Sequence, residues 1–152
     1  MSKKNSPRNT VKIRLAKRSD ASQIADLAGQ LGYPSSPAQI AQRFRTLKPA
    51  NLHAVFVTEL ANGDVGGWMH VSVSPQIETD LRAEINSLVV ADGQRSLGAG
   101  AQLLQAAETW SRKRGCKFMS VRSNVIRDRA HKFYEHHGYE HYKTQKAFRK
   151  PL

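Results

Sequence analysis

Apolar and polar residues alternate, or apolar residues run together, in six short segments of this 152-residue chain. Alternation places every second side chain on one face of a strand, so these segments predict β-strands. They span residues 11–15, 53–60, 65–73, 84–90, 118–121 and 144–150. The pair Asn62-Gly63 separates the second segment from the third and predicts a hairpin turn between them.

Four other segments repeat apolar residues every three or four positions, as amphipathic helices do. Asp20 and Ser36 are candidate caps for the first and second helices, whereas Gly32 and Gly138 suit the ends of the first and fourth. The third helix follows a loop at 95–100. The predicted order of elements is therefore β-α-α-β-β-β-α-β-α-β.

The strongest chemical signal is the loop before the third helix, which reads Arg95-Ser96-Leu97-Gly98-Ala99-Gly100. Gly98 and Gly100 remove the Cβ atoms that would keep a ligand off the backbone. The unpaired N–H groups at the helix start suit a phosphate or pyrophosphate, and Arg95 adds a cation. A P-loop would need Lys and Ser or Thr after the last glycine, and a dinucleotide loop would need a small residue where Leu103 stands. The pattern therefore predicts an anionic cofactor held by another kind of strand–loop–helix unit.

A second motif follows the fifth predicted strand. It combines polar residues, an apolar helix face and a terminal glycine, and reads Ser123-Asn124-x-x-Arg127-x-x-Ala130-His131-x-Phe133-Tyr134-Glu135-x-x-Gly138-Tyr139. In this order and at this separation, the two motifs resemble those of the GNAT superfamily, the Gcn5-related N-acetyltransferases. Asp92 departs from the pattern, since many members carry proline just after this strand.

The resemblance implies an α/β fold, a mixed sheet flanked by helices on both faces. In that fold two central parallel strands splay apart, and acetyl-CoA enters the gap as the co-substrate for acetyl transfer to a primary amine. The residues that match the family's cofactor-binding positions are Leu88, Val89, Val90, Gln94, Arg95, Ser96, Leu97, Gly98, Ala99, Gly100, Ala101, Asn124, His131 and Tyr134.

Direct acetyl transfer needs three chemical roles. A free alkylamine has a pKa of about 10, so it must lose a proton before it attacks. The resemblance gives the role of base to Glu84, with His70 as the alternative. The N–H of Val89 is the candidate donor to the carbonyl oxygen as that oxygen gains negative charge. Tyr134 matches the acid that protonates the departing thiolate. Strand alternation predicts one shared face for Glu84, Asn86, Leu88 and Val90.

Composition narrows the remaining possibilities. At 39% hydrophobic residues, the chain suits one globular domain, 10–152, behind a flexible basic arm at 1–9. A lone cysteine, Cys116, excludes an internal disulfide and fits the reducing cytoplasm. The chain has no apolar run of the roughly 18 residues that a membrane span needs. No metal is predicted, because the histidines near the C-terminus lack a recognised ligand spacing.

The formal net charge of +12 has two interpretations. A basic surface attracts a polyanionic cofactor, and it also attracts nucleic acid. The Lys and Arg residues are dispersed and accompany no aromatic-interleaved basic motif or zinc-finger spacing. Specific nucleic-acid binding is therefore not predicted.

The sequence leaves the acceptor amine open. Glu78, Asp80 and Glu84 form an acidic cluster that would border the acceptor pocket in this fold. The positive total charge nevertheless favours a zwitterionic or anionic amine over a polycation. A small-molecule enzyme should have a closed pocket beneath the loops at 34–37 and 74–81. The alternatives are an acetyltransferase for protein lysine or N-terminal amines, which needs an open groove, and a non-catalytic module that binds CoA or nucleic acid. The resemblance also makes a homodimer an expectation.

Overall fold

A computed structural model describes residues 11–152, without the side chains of Ser96 and Leu97. The predicted basic arm at 1–9 lies outside the described residues. The strands are β1 (Lys12–Leu15), β2 (His53–Glu59), β3 (Val65–Ser74), β4 (Arg82–Val90) and β5 (Phe118–Val121). The helices are α1 (Ala21–Gln30), α2 (Pro37–Thr46), α3 (Ala99–Lys113) and α4 (Asp128–His136).

The strands form one mixed sheet in the order β1-β2-β3-β4-β5. Neighbours from β1 to β4 run antiparallel, and β5 runs parallel to β4 after the α3 crossover. The predicted α/β class and the order of the first nine predicted elements are thus confirmed.

The described residues form two compact units. One unit ends at Arg122 and contains the sheet with α1, α2 and α3, and the other begins at Ser123 and contains α4. None of the described helices has both the length and the apolar character needed to cross a bilayer.

The predicted strand at 144–150 is wrong, since residues 139–152 contain no regular element. Its alternating face would carry Thr144, Lys146, Phe148 and Lys150, and Phe148 is 91% exposed. A strand is held in place largely by the apolar face that it buries. One apolar residue among four provides little such surface.

Local hydrogen bonds fix the start of α2 as predicted. The Ser36 Oγ accepts from the Gln39 N–H at 3.1 Å, and the Gln39 Oε1 accepts from the Ser36 N–H at 2.9 Å. Pro37 occupies the first helical position, where its missing N–H costs nothing. Asp20 lies at the N-cap position of α1, as predicted for the pair Ser19-Asp20, but its side chain makes no capping hydrogen bond because its carboxylate is engaged by Arg14.

Arg14 on β1 joins three segments of the first unit. Its Nη1 and Nη2 donate to the two carboxylate oxygens of Asp20, at 2.8 and 3.0 Å, and its Nε donates to Glu59 on β2. The Lys17 N–H also donates to Asp20, at 2.6 Å. Asp20 is 4% exposed. A buried carboxylate is thus neutralised and hydrogen-bonded at the start of α1.

The hydrophobic core has two parts, one on each face of the sheet. Helices α1 and α2 pack on the face that carries Val57, Trp68 and Val89. Met69 points to the opposite face by alternation and is fully buried. Helix α3 contacts β2, β3 and β4 and contributes the fully buried Leu103. The sheet therefore has helices on both faces.

The pairing of β4 is irregular near its middle. His70 on β3 pairs with Ser87, whereas the next residue, Val71, pairs with Ile85. Asn86 is thus an extra residue in β4, which makes a β-bulge. β5 pairs only with the first four residues of β4. The second half of β4 therefore presents an edge that β5 does not cover, as the resemblance implies.

Candidate active site

The loop after β4 is a 3-10 turn, Asp92–Leu97, followed by Gly98 with a φ of +77°. Only glycine adopts this left-handed conformation at little cost, which explains its place before α3. The first helical hydrogen bond runs from the Gln102 N–H to the Gly98 oxygen, at 3.1 Å. The N–H groups of Ala99, Gly100 and Ala101 precede it at the helix start. This geometry suits an anion such as a pyrophosphate.

Arg95 is held at the end of β4. Its Nη1 lies 2.8 Å from the Asp92 Oδ1, and its Nε donates to the Val90 oxygen at 3.2 Å. Asp92, the position that departs from the family pattern, thus orients the loop cation. Sequence reasoning predicted the cation but not its partner.

The main chain of β4 presents two residues to the uncovered edge. The Ala91 N–H donates to the Gly66 oxygen at 2.9 Å, so it points towards β3. Because main-chain groups alternate sides along a strand, those of Val89 also point towards β3, and those of Leu88 and Val90 point away from it. The prediction that Val89 supplies the oxyanion donor is therefore wrong. Its N–H lies in the ladder with β3, whereas the Leu88 and Val90 N–H groups lie at the uncovered edge.

Glu84 stands on β4 two residues before the bulged Asn86. The bulge shifts the alternation by one residue, so Glu84 shares its face with Ser87. The prediction that Glu84 and Leu88 share a face is therefore wrong. The Glu84 side chain is 12% exposed, and its Oε1 accepts from the Arg122 Nε at 2.8 Å. Arg122 directly follows β5, and no sequence signal identified it as the partner.

His70 lies on the same face of the sheet, opposite Ser87. Its Nε2 is 3.1 Å from the Nδ1 of His53, and the two rings stack with centroids 5.4 Å apart. Burial, reinforced by the neighbouring His53, lowers the pKa of His70 to about 4. The imidazole is therefore neutral at pH 7 and accepts a proton poorly.

A cavity of about 410 Å³ lies between the α1–α2 pair and this face of the sheet. Phe44 is one of its apolar wall residues, Tyr33 and Ser35 line it from the α1–α2 loop, and His70 and Ser87 line it from the sheet. The loop at 34–37 thus contributes Ser35 to the lining of this cavity. The loop at 74–81 contributes none of the residues that line this cavity.

The three acidic residues predicted to border the acceptor pocket are absent from the lining of this cavity. Glu78 and Asp80 are exposed and do not line the cavity, and Glu84 is paired with Arg122. Among the described residues that line the cavity, none is Asp or Glu.

The second compact unit holds the predicted acid. Burial raises the pKa of Tyr134 to about 12, against the opposing effect of Arg127. The Tyr134 ring contacts those of Phe133 and Tyr139, with centroids 5.2 and 5.7 Å apart. The phenol therefore stays protonated through neutral and alkaline pH and can donate a proton.

Two predicted cofactor residues meet at the start of α4. The His131 Nε2 lies 2.9 Å from the Asn124 main-chain oxygen, and the Asn124 Oδ1 accepts from the Ile126 N–H at 3.2 Å. Both residues thus organise the turn that begins the helix, and Tyr134 follows His131 by one turn. Among the described residues, no group of three or more His, Cys, Asp or Glu side chains is arranged as a metal site.

Gly67 on β3 lies close to the backbone of β4 beside the uncovered edge, a feature that the sequence did not reveal. A Cβ at this position would lie 2.9 Å from the Val89 oxygen and 3.3 Å from the Val90 Cα. Both atoms belong to the backbone and cannot yield without moving β4. Neither the hairpin signal nor the strand pattern revealed this close approach.

Gly67→Ala is therefore expected to lower the free energy of unfolding by about 1–3 kcal/mol, the usual cost of overpacking. Urea unfolding measures the loss. Gly93→Ala is the matched control, because a Cβ at Gly93 meets nothing within 4 Å. Equal stability of the two variants would show that β3 and β4 separate easily at Val89.

Comparisons with known proteins give a consistent answer. The Acetyltransferase (GNAT) family matches residues 22–139. The uncharacterized N-acetyltransferase YhfO of Bacillus subtilis is 31% identical over 132 residues, which cover 84% of this chain and 89% of that protein. The aminoalkylphosphonate N-acetyltransferase of Salmonella typhimurium is 32% identical over 112 residues, which cover 70% of this chain and 73% of that protein.

The same fold occurs in solved structures. The aminoglycoside N-acetyltransferase AAC(6')-Iy in complex with CoA matches with a TM-score of 0.82 at 20% identity, covering 97% of this chain and 99% of that chain. The family match includes the loop before α3 and the motif on α4, and it extends over most of the chain. This chain therefore belongs to the GNAT family and is an acetyl-CoA-dependent N-acetyltransferase.

Proposed function

We propose that the enzyme acetylates a primary amine of a small molecule, by direct attack of the amine on acetyl-CoA in a ternary complex. The observation that carries this proposal is the cavity of about 410 Å³, which reaches β4 at Ser87, next to the uncovered edge at Leu88. Ligand pockets span roughly 300–1,000 Å³, and a volume near the lower end favours a small acceptor over a peptide. By its name, the Salmonella relative also acts on a small amine.

The cofactor would be held by the main chain of β4 and by the loop that follows it. The N–H groups of Ala99, Gly100 and Ala101 and the Arg95 guanidinium would bind the pyrophosphate. Leu88 and Val90 would offer main-chain groups to the pantetheine arm. Asn124 and His131 on the second unit are further candidate contacts, on the strength of the family motif.

Glu84 is the base in this proposal, acting directly or through a water. The Arg122 Nε holds one carboxylate oxygen, at 2.8 Å, so the other oxygen would take the proton of the amine. His70 lines the cavity itself. With a pKa of about 4, however, it takes up a proton poorly at pH 7 and serves better as a neutral hydrogen-bond partner.

The Leu88 N–H would stabilise the negative charge that develops on the carbonyl oxygen after attack. The C–S bond then breaks, the acetyl group remains on the amine nitrogen, and Tyr134 gives its proton to the departing thiolate. A phenol with a pKa of about 12 is protonated when the thiolate forms.

The first test is thermal unfolding with and without acetyl-CoA. At a concentration 100-fold above its dissociation constant, a ligand stabilises the fold by about 2.7 kcal/mol, which raises the Tm by roughly 5–10 °C. Gly100→Val should remove this shift, because a branched side chain would stand at the pyrophosphate. Gly29→Ala should keep it, since a Cβ there meets nothing within 4 Å.

The acetyl-CoA-induced shift in Tm, not the Tm itself, is the quantity to compare between variants. A full shift in Gly100→Val would refute the loop assignment. No shift in the wild type at millimolar acetyl-CoA would refute cofactor binding. Thiol release with a panel of amines then identifies the acceptor.

Three further expectations belong to this proposal. Residues 10–152 act as one acetyltransferase domain, which the family match from 22 to 139 supports. The lone Cys116 favours the cytoplasm. A homodimer is expected from the family, and light scattering tests it.

A further inference from the structure

The cavity between α1–α2 and the sheet carries hydrogen-bond donors but no carboxylate. Arg43 on α2, Tyr33 and Trp68 line it together with apolar side chains. No Asp or Glu oxygen of the described residues lies within 4 Å of the Arg43 guanidinium. An acceptor with several ammonium groups would find no counter-charge on these walls.

The α1–α2 loop orients Arg43. The Arg43 Nη1 donates to the Ser35 Oγ at 2.8 Å, and the Ser35 hydroxyl donates in turn to the main-chain oxygen of Tyr33 at 3.1 Å. A guanidinium has five N–H donors in a planar fork, so one bond to a hydroxyl leaves the others for a ligand. The planar fork matches the oxygens of a carboxylate, phosphonate or phosphate.

Trp68 supplies a second, independent observation. It lines the cavity, is 9% exposed, and its Nε1–H is buried without a hydrogen-bond acceptor in the described part of the chain. A buried donor without a partner is costly, and such groups are rare in folded proteins. An acceptor oxygen on a ligand would satisfy it.

We infer that the acceptor amine also bears an anionic oxygen group, which Arg43 binds at the mouth of the cavity. The inference rests on the proposed function, because it concerns the second substrate of that reaction. The apolar wall would hold a short carbon chain, with the amine towards Ser87 and the anionic group towards α2. The neutral His70 adds no positive charge beside the amine.

The experiment compares four acceptors at saturating acetyl-CoA, with thiol release as the readout. They are 3-aminopropylphosphonate, 4-aminobutanoate, butylamine and 1,4-diaminobutane. We expect kcat/KM to be about 10- to 100-fold higher for the two anionic amines, the usual effect of a charge-assisted hydrogen bond. The ratio between phosphonate and carboxylate identifies the group that Arg43 prefers.

Three variants make the test specific. Arg43→Ala should lower kcat/KM for the two anionic amines far more than for butylamine, so that the preference disappears, and Arg43→Lys should restore part of it. Arg45→Ala is the control, because Arg45 is also exposed on α2 but bonds to the Gln42 Oε1, at 2.9 Å, and does not line the cavity.

Preference for butylamine or the diamine, or an equal loss for all acceptors in Arg43→Ala, would overturn the inference. So would the absence of turnover with all four amines when acetyl-CoA still raises the Tm, although the proposed function would survive that result. A wild-type enzyme that acetyl-CoA does not stabilise would refute both.

Discussion

Tyr134→Phe is expected to lower kcat by about 10²-fold, the lower end of the range for a general acid. The variant lacks only the phenolic oxygen and keeps the ring that contacts Phe133 and Tyr139. A complete loss is not expected, because a thiol of pKa about 8.5 leaves moderately well as the thiolate. Acetyl-CoA affinity should stay the same, as measured by the Tm shift.

The control for this prediction is Tyr142→Phe, since Tyr142 is 68% exposed. This variant should turn over like the wild type. With a pKa of about 12, Tyr134 should also produce no alkaline limb in the kcat profile below pH 10. A Tyr134→Phe variant with normal kcat and weakened acetyl-CoA binding would make Tyr134 a packing residue.

Arg14→Ala is expected to lower the free energy of unfolding by about 3 kcal/mol, because it leaves the buried Asp20 carboxylate without its cation. Urea unfolding at pH 7 measures this loss. Arg18→Ala is a matched control on an exposed arginine nearby and should cost less than about 0.5 kcal/mol. A loss below about 1 kcal/mol in Arg14→Ala would mean that the pair behaves like a surface ion pair.

The same network gives stability a pH dependence of known sign. The hydrogen bonds from Arg14 hold the pKa of Asp20 below its usual value. A lowered pKa in the folded state stabilises the protein above the unfolded value of about 4, and the effect is lost as pH falls through the folded value. The wild type should therefore lose stability below pH 4 more steeply than Arg14→Ala does.

Much of the fold could be predicted from the spacing of apolar residues and from the turn and cap residues at the ends of strands and helices. Asn62-Gly63 marked the hairpin, Ser36 marked the start of α2, and Gly98 marked the entry to α3. These signals are local, so the sequence expresses them directly. The alternation at 144–150 was misleading because three of the four residues on the predicted face are polar, so a strand there would bury little apolar surface.

The candidate site was predicted less completely, because its decisive contacts are long-range. The bulge at Asn86 places Leu88 on the opposite face of the sheet from Glu84. A count of alternating residues along the sequence does not reveal such an extra residue. Arg122 forms its ion pair with Glu84 because the parallel pairing of β4 with β5 brings the two residues together. Arg43 resembled an ordinary charge on a solvated helix face, since its place at a cavity depends on how α2 packs.

The cavity is lined on one side by α1, α2 and the loop between them, and on the other side by β2, β3 and β4. Tyr33, Ser35 and Arg43 come from α2 and the loop before it, whereas the proposed base, Glu84, and the proposed oxyanion donor, Leu88, stand on β4. Under the proposed function, the residues that select the acceptor are separate from those on the catalytic strand, so substitutions at α2 and its loop would change the amine accepted while β4 keeps its register. Libraries for altered specificity would best randomise positions 33, 35 and 43 and leave residues 84–90 untouched.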